Sequence, residues 1–213
     1  MIRRLFILTI LGLATVSCQN VPISKIAETG IHKEITGTDG APMMLVPAGE
    51  FLYGDDNQRL SLPAFYMDKY EVTVSRYASF LQASGRKQPE YWNQVSQVSA
   101  GDRSVIEVDW YDAYTYCRQY AKRLPTEQEW EKAARGTDGR TYPWGNDEPS
   151  ERYANFGKEW DNLNYESELL TAVGSYEDGK SPFGIYDLAG NVWEWTSTGG
   201  SMTSRETSGS GQV

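Results

Sequence analysis

The side chains most often used for nucleophilic or soft-metal chemistry are scarce in this chain. It contains one histidine, His32, and two cysteines, Cys18 and Cys117. A single histidine excludes most histidine-built metal sites and histidine-dependent catalytic triads within one chain. The chemistry open to the protein therefore depends on the two thiols and on oxygen ligands. His32 lies in a polar segment and is predicted to be a solvated linker residue.

Cys18 ends a segment with the layout of an export signal. Two arginines precede an apolar run, residues 5–16, which is too short to span a bilayer permanently, and Ser17 follows it. Ser17 before Cys18 resembles the lipobox of bacterial lipoproteins, whose cysteine becomes the lipidated first residue. We therefore predict a signal peptide at residues 1–17 and a lipid anchor on Cys18, which would hold the protein in the bacterial envelope, at the outer membrane or its periplasmic face. An ordinary signal peptide with an incidental cysteine is the alternative.

Cys117 is predicted to be a small core residue. It lies in a helical pattern, residues 109–121, that places Ala113, Tyr116 and Tyr120 on the same face. If Cys18 carries the lipid, the mature chain has no second thiol for an intramolecular disulfide.

Length and charge limit the classes of protein and partner. The 213 residues suffice for one ordinary domain, and 39% hydrophobic with 13% aromatic residues can form a packed core. Acidic residues number 29 against 20 lysines and arginines, a formal net charge of −9. Nucleic-acid binding needs a basic face, so no nucleic-acid partner is expected.

The chain divides into a leader, a tether, one domain and a tail. Residues 18–41 are polar and lack periodicity, which predicts a tether. The domain is expected at residues 42–198, and residues 199–213, which are rich in Ser, Thr and Gly, are predicted to be a disordered tail. Strands are predicted at residues 44–46, 51–53 and 65–72.

Capping residues predict three helices. Thr73 can cap a helix that ends near Gly85, and Asp109 opens a second. Thr126 and Glu129 form the pattern of a capping box for a third, which Gly136 would end. Beyond that glycine the composition predicts long loops with tryptophans as core anchors: Trp144, Trp193 and Trp195.

Seven short motifs occur in the order and spacing of the formylglycine-generating enzyme family, also called sulfatase-modifying factors, and the chain resembles that family over about 150 residues. The motifs are LVPAGEF (45–51), YEVT (70–73), VDWYDA (108–113), RLPTE (123–127), EWEKAARG (129–136), YPWG (142–145) and GNVWEW (190–195). The resemblance implies an α+β, C-type-lectin-like fold with little regular secondary structure and long loops. It also implies that the C-terminal third of that fold is missing here, so that the domain is incomplete.

The resemblance further implies calcium sites. Asp187, Gly190, Val192 and Glu194 match positions where the family binds Ca²⁺, through two carboxylates and two main-chain oxygens. Asn155 and Phe156 match the start of a second site, whose further ligands are expected within residues 161–166. The structural alternative is that the two acidic residues of the first set cap turns in a loop.

The family's enzymes oxidise a sulfatase cysteine to formylglycine with O₂ and a copper ion held by two cysteines, which follow the Trp-Glu-Trp motif. No cysteine follows Trp195 here, and Cys117 alone cannot supply two thiolates to Cu(I). We therefore expect no copper and no such enzymatic activity from this chain. The alternative function is a non-catalytic envelope lipoprotein on the same fold, of the gliding, secretion or surface ligand-binding type, with a protein or peptide partner.

Overall fold

The computed structural model describes residues 14–15, 19–20, 32–90, 92–93, 101–156 and 170–198. Within these residues the chain combines three α-helices with short strands, which is consistent with the predicted α+β class. The strands are β1 (Ala14–Thr15), β2 (Gln19–Asn20), β3 (Glu34–Thr36), β4 (Pro42–Val46), β5 (Gly49–Tyr53), β6 (Gln58–Leu62), β7 (Phe65–Asp68), β8 (Lys122–Arg123) and β9 (Trp193–Glu194).

Five strands form the largest sheet, in the order β3-β4-β7-β2-β8. All its pairings are antiparallel, and Leu45 of β4 stands opposite Tyr66 of β7. Strands β5 and β6 form a separate hairpin, and β1 pairs in parallel with β9. The chain thus returns to the same sheet from segments that are far apart in sequence.

The three predicted helices are confirmed, because each begins at the capping residue expected. Helices α1 (Val74–Ser84), α2 (Trp110–Gln119) and α3 (Glu127–Arg135) follow Thr73, Asp109 and Thr126, whose side-chain oxygens accept main-chain N–H bonds. Thr126 and Glu129 complete the capping box reciprocally. Gly85 ends α1 with a φ of 64°, which a residue without a β-carbon adopts at little cost.

The sheet contains strands that the sequence did not predict. The segment expected to be a tether contributes β2 and β3, and β2 lies between β7 and β8. Strands of two or three residues are too short for an alternating pattern to be recognised. The strand predicted at residues 65–72 ends at Asp68. Val72, whose apolar side chain suggested the longer strand, is buried among the helices instead.

Two clusters of buried side chains hold the elements together. The larger packs α1 and α2 on each other through Tyr77, Phe80 and Tyr116, with the rings of Tyr77 and Tyr116 stacked 5.8 Å apart. The smaller lies between α3 and the sheet, and its members include Val46, Met67, Ala133 and Ile185. In the part of the chain that the structure describes, no helix is long and apolar enough to cross a bilayer.

Beyond α3 the described residues contain only a 3-10 turn (Glu177–Gly179) and β9 as regular structure. Aromatic side chains hold these loops. Trp144 stacks between Tyr142 and Tyr153, at centroid distances of 4.9 and 5.0 Å, and the Trp195 indole N–H donates to the carbonyl of Val108. Trp193 was also predicted to be a core anchor. That prediction is wrong, because its side chain is 53% exposed.

Candidate functional site

The candidate site is the loop of residues 187–194, which runs from the smaller core cluster into β9. Asp187, Gly190 and Asn191 all have positive φ, at 59°, 90° and 59°. Asp and Asn tolerate this left-handed conformation better than other residues with a β-carbon. The backbone of this loop is therefore tightly turned.

Asn191 joins this loop to four other segments of the chain. Its Nδ2 donates to Glu71 Oε2 at 2.7 Å and to Ser104 Oγ at 3.1 Å. Its Oδ1 accepts from Asn155 Nδ2 and from the Thr171 main-chain N–H, both at 3.2 Å. The side chain is almost completely buried, so it exchanges its bonds with water for a full set of bonds within the protein.

The structure brings Asn155 to the first predicted calcium site. Its carbonyl oxygen accepts the Asn191 N–H at 2.8 Å, and its main chain lies against Gly190. Phe156 follows it and is half-buried, while residues 161–166 lie outside the described residues. Residues that the sequence assigns to two separate calcium sites therefore lie next to each other in the fold.

Each predicted ligand with a side-chain oxygen in this loop also has a bond within the protein. Asp187 Oδ2 accepts the Gly174 N–H, and Glu194 Oε2 accepts the Trp130 indole N–H, both at 2.7 Å. The carbonyl of Gly190 accepts the Val192 N–H at 2.8 Å. Within the described ranges, no three His, Cys, Asp or Glu side chains are grouped so that they could hold a metal. A cation here would therefore need main-chain or amide oxygens beside the carboxylates.

Negative charge accumulates at the site. Burial raises the pKa of Asp187 to about 6, although the bond from Gly174 acts in the opposite direction. Burial also raises the pKa of Glu71 well above its ordinary value, and the charges of Asp187 and Glu194 raise it further. The sequence analysis did not identify Glu71. Its only local signal is an acidic residue between Tyr70 and Val72, in a run that is otherwise apolar or aromatic.

The thiols differ from expectation. Cys117 is fully buried in the larger core cluster, as predicted, but it is disulfide-bonded, and no free cysteine occurs in the described part of the chain. The chain has one other cysteine, Cys18, which lies outside the described residues. Sequence spacing could not reveal this bond, because a disulfide depends on the distance between two side chains in the fold. The carbonyl of His32 accepts the Tyr66 hydroxyl at 2.7 Å.

Comparison with known proteins gives one consistent set of relatives. The family model of the sulfatase-modifying factor enzyme 1-like domain matches residues 30–212. The chain is 33% identical to the uncharacterized protein YfmG of Bacillus subtilis (strain 168), over 84% of this chain and 45% of that protein. It is 28% identical to the formylglycine-generating enzyme of Bos taurus, over 73% of this chain and 57% of that enzyme. It is 39% identical to the inactive C-alpha-formylglycine-generating enzyme 2 of Bos taurus, over 51% and 38%. The chain spans about half the length of these relatives.

Proposed function

The chain belongs to the sulfatase-modifying factor enzyme 1-like family, and we infer that it is an exported, non-catalytic member that binds Ca²⁺ and a protein or peptide partner. Its relatives include proteins named as an active and as an inactive formylglycine-generating enzyme, so membership alone does not decide activity. On this proposal the fold is the family's C-type-lectin-like one, used as a scaffold.

The cysteine inventory is the observation that carries the non-catalytic assignment. The family's copper ion requires two thiolates side by side. Cys117 is fully buried among aromatic side chains and disulfide-bonded. The sulfur of Cys18, the chain's one other cysteine, would be used either by a disulfide or by the proposed lipid, and in neither case as a thiolate ligand. The residues of this chain therefore do not fit the copper site, and no oxidation step follows from them.

Calcium fits the oxygen donors better. Asp187 and Glu194 would supply carboxylates, and Gly190 and Val192 would supply carbonyl oxygens, with Asn155 and Phe156 adjoining them. Bound Ca²⁺ would supply positive charge to a place where burial already raises the pKa of Asp187. Its role on this proposal is structural, since it would hold a loop that has little regular secondary structure.

Lipidation of Cys18 would place the domain directly on the membrane. Strand β2 begins at Gln19, so the lipid would be attached one residue before the five-stranded sheet, without an intervening tether. Lipidation and a disulfide exclude each other at Cys18, because both use its sulfur.

A protein or peptide partner fits the surface near the site. Tyr111, Tyr114 and Trp193 are large apolar side chains that stand 41–53% exposed. Cleavage before Cys18 would also remove β1, which pairs with β9. An open strand edge beside an exposed tryptophan suits an extended peptide, whose main chain can continue the pairing.

The copper assignment is tested by competition for Cu(I). The purified full chain and the bovine formylglycine-generating enzyme are each equilibrated with Cu(I) and a chromophoric chelator under a reductant. We expect Cu(I) to stay on the chelator in the presence of this chain and to move from the chelator to the bovine enzyme. Retention of one Cu(I) per chain that is lost in Cys117→Ser would overturn the proposal.

A further inference from the structure

Glu71 is a buried carboxylate with an unused oxygen. The residue is 2% exposed, and its Oε2 accepts from the Ser104 hydroxyl and from Asn191 Nδ2. Its other oxygen, Oε1, is buried and has no hydrogen-bond partner. An unsatisfied carboxylate oxygen in a protein interior is costly, and it calls for a compensating positive charge.

The basic residue nearest in the hydrogen-bond network does not compensate it. Arg76 donates to the main-chain carbonyl of Glu71 at 2.6 Å, and its Nη1 lies 3.7 and 3.6 Å from the carboxylates of Asp39 and Asp68. The charged groups that do act on the Glu71 carboxylate are Asp187 and Glu194, which are both acidic. Glu71 is therefore the third acidic side chain of this region.

The position of Glu71 is set by the proposed calcium loop. Its hydrogen-bond partner Asn191 stands in sequence between Gly190 and Val192, the two residues proposed to bind the ion through their carbonyls. The 2.7 Å hydrogen bond from Asn191 holds the Glu71 carboxylate outside the proposed set of ligands, next to the residue that joins the two ligands in sequence. Carboxylates in this outer position orient metal ligands and raise the affinity of the site.

We propose that Glu71 is the buried counter-charge of a Ca²⁺ site on residues 187–194, acting behind the ligands through Asn191. The inference rests on the proposed calcium site and deepens it. Glu71 is a positioning residue: it attracts the ion and holds Asn191, and it is absent from the ligand set that the family resemblance implies.

A merely structural Glu71 would behave differently on substitution. Glu71→Gln keeps the shape and an oxygen acceptor for Ser104 and Asn191, and removes only the charge. If Glu71 stabilises the bound ion, Glu71→Gln has an unchanged or higher melting temperature without Ca²⁺, because the variant lacks an acidic group that is buried beside other acidic groups. Its Ca²⁺ affinity falls by roughly tenfold or more. A structural role predicts an unchanged affinity and a lower melting temperature.

The experiment measures Ca²⁺ binding by titration calorimetry and apo stability by thermal unfolding, on the full chain. We expect wild type to bind, Asp187→Asn to lose binding and Glu71→Gln to bind at least about tenfold more weakly. Glu50→Gln is the control: it removes one carboxylate charge in the same way at an exposed position that pairs with Arg59, and it is expected to keep the wild-type affinity.

The outcomes separate the two claims. Wild-type affinity in Glu71→Gln, with binding lost in Asp187→Asn, overturns the role of Glu71 and leaves the calcium site standing. Absence of Ca²⁺ binding by wild type overturns both. If Glu71→Gln does not fold, Glu71→Asp and Glu71→Asn are compared, because both shorten the side chain equally and differ in charge. An affinity at least about tenfold weaker in Glu71→Asn supports the proposal, and equal affinities contradict it.

Discussion

A β-carbon on Gly190 would lie 2.5 Å from the main-chain oxygen of Asn155. No pair of non-bonded carbon and oxygen atoms packs that closely, so the two segments meet main chain against main chain, and only glycine fits. A 2.8 Å hydrogen bond from the Asn191 N–H to the same oxygen also joins the two segments. This contact brings residues from both predicted calcium sites together.

Gly190→Ala is therefore expected to destabilise the protein more than an alanine at another left-handed glycine. Gly40 is the matched control, because its φ is 79° against 90° for Gly190, and a β-carbon there meets nothing within 4 Å. We expect about 1 kcal/mol of lost unfolding free energy for Gly40→Ala, and at least about 2 kcal/mol more for Gly190→Ala, since main-chain atoms must move. Equal losses in urea unfolding would contradict the packing described.

Lys122 is of a residue type that is usually exposed, and we predict that replacing it lowers the unfolding free energy strongly. It is fully buried, and its Nζ lies 2.7 Å from both Asp39 Oδ1 and Asp68 Oδ1. Lys122→Met leaves these two buried carboxylates to share Arg76, so we expect a loss of about 3–5 kcal/mol in urea unfolding at pH 7. Arg59→Met is the control: Arg59 pairs with Glu50 at 3.3 Å with both side chains mostly exposed, and less than about 1 kcal/mol is expected. A similar loss for both variants would refute the distinction.

The same cluster predicts opposite pH effects for its two carboxylates. Burial raises the pKa of Asp68 to about 6 against the lowering effect of Lys122. Folded Asp68 therefore keeps a proton that unfolded Asp68 releases, and its contribution to stability is full below about pH 4 and disappears as the pH rises through about 6. Wild-type stability should thus fall relative to Asp68→Asn between those values.

Asp39 is the control with the opposite sign. Burial raises its pKa, but the charge and hydrogen bond of Lys122, together with hydrogen bonds from the Ala41 N–H and the Tyr116 hydroxyl, leave the pKa below the ordinary value of 3.8. Its contribution is therefore present above that value and lost as the pH falls below it. Urea unfolding of wild type, Asp68→Asn and Asp39→Asn from pH 3 to pH 7 measures both effects. Identical pH profiles for wild type and Asp68→Asn would show that Asp68 is not the titrating group.

Cys18 is predicted to carry a lipid in protein recovered from the membrane fraction of a bacterial host. Mass spectrometry of the processed chain should find a lipid-modified Cys18 at the mature N-terminus. An unmodified N-terminus, cleavage at another residue, or a peptide containing Cys18 disulfide-bonded to Cys117 would each exclude the anchor.

Local chemistry was enough to predict the helices and too little to predict the buried charges. Thr73, Asp109 and Thr126 cap helices through bonds that span three residues, so their roles are visible in the sequence. Lys122 and Glu71 are of types that are almost always exposed. They are buried here because partners from distant segments surround them, and no local pattern carries that information.

The sequence offers candidate residues for the site, and it does not predict how the fold arranges them. The resemblance identified Asp187, Gly190 and Asn155 individually, and assigned Asn155 to a separate place. The structure joins them through Asn191, whose side chain and main chain bind two segments at once. A hub of this kind depends on the tertiary fold, so neither spacing nor periodicity reveals it.

We propose that this chain keeps the family's scaffold without the family's copper chemistry. The most direct test incubates the purified 213-residue protein with a sulfatase-derived cysteine peptide, Cu(I), O₂ and a reductant, beside the bovine formylglycine-generating enzyme as positive control. Mass spectrometry of the peptide should find formylglycine only in the control. Formylglycine formed by this chain above the protein-free background would contradict the claim.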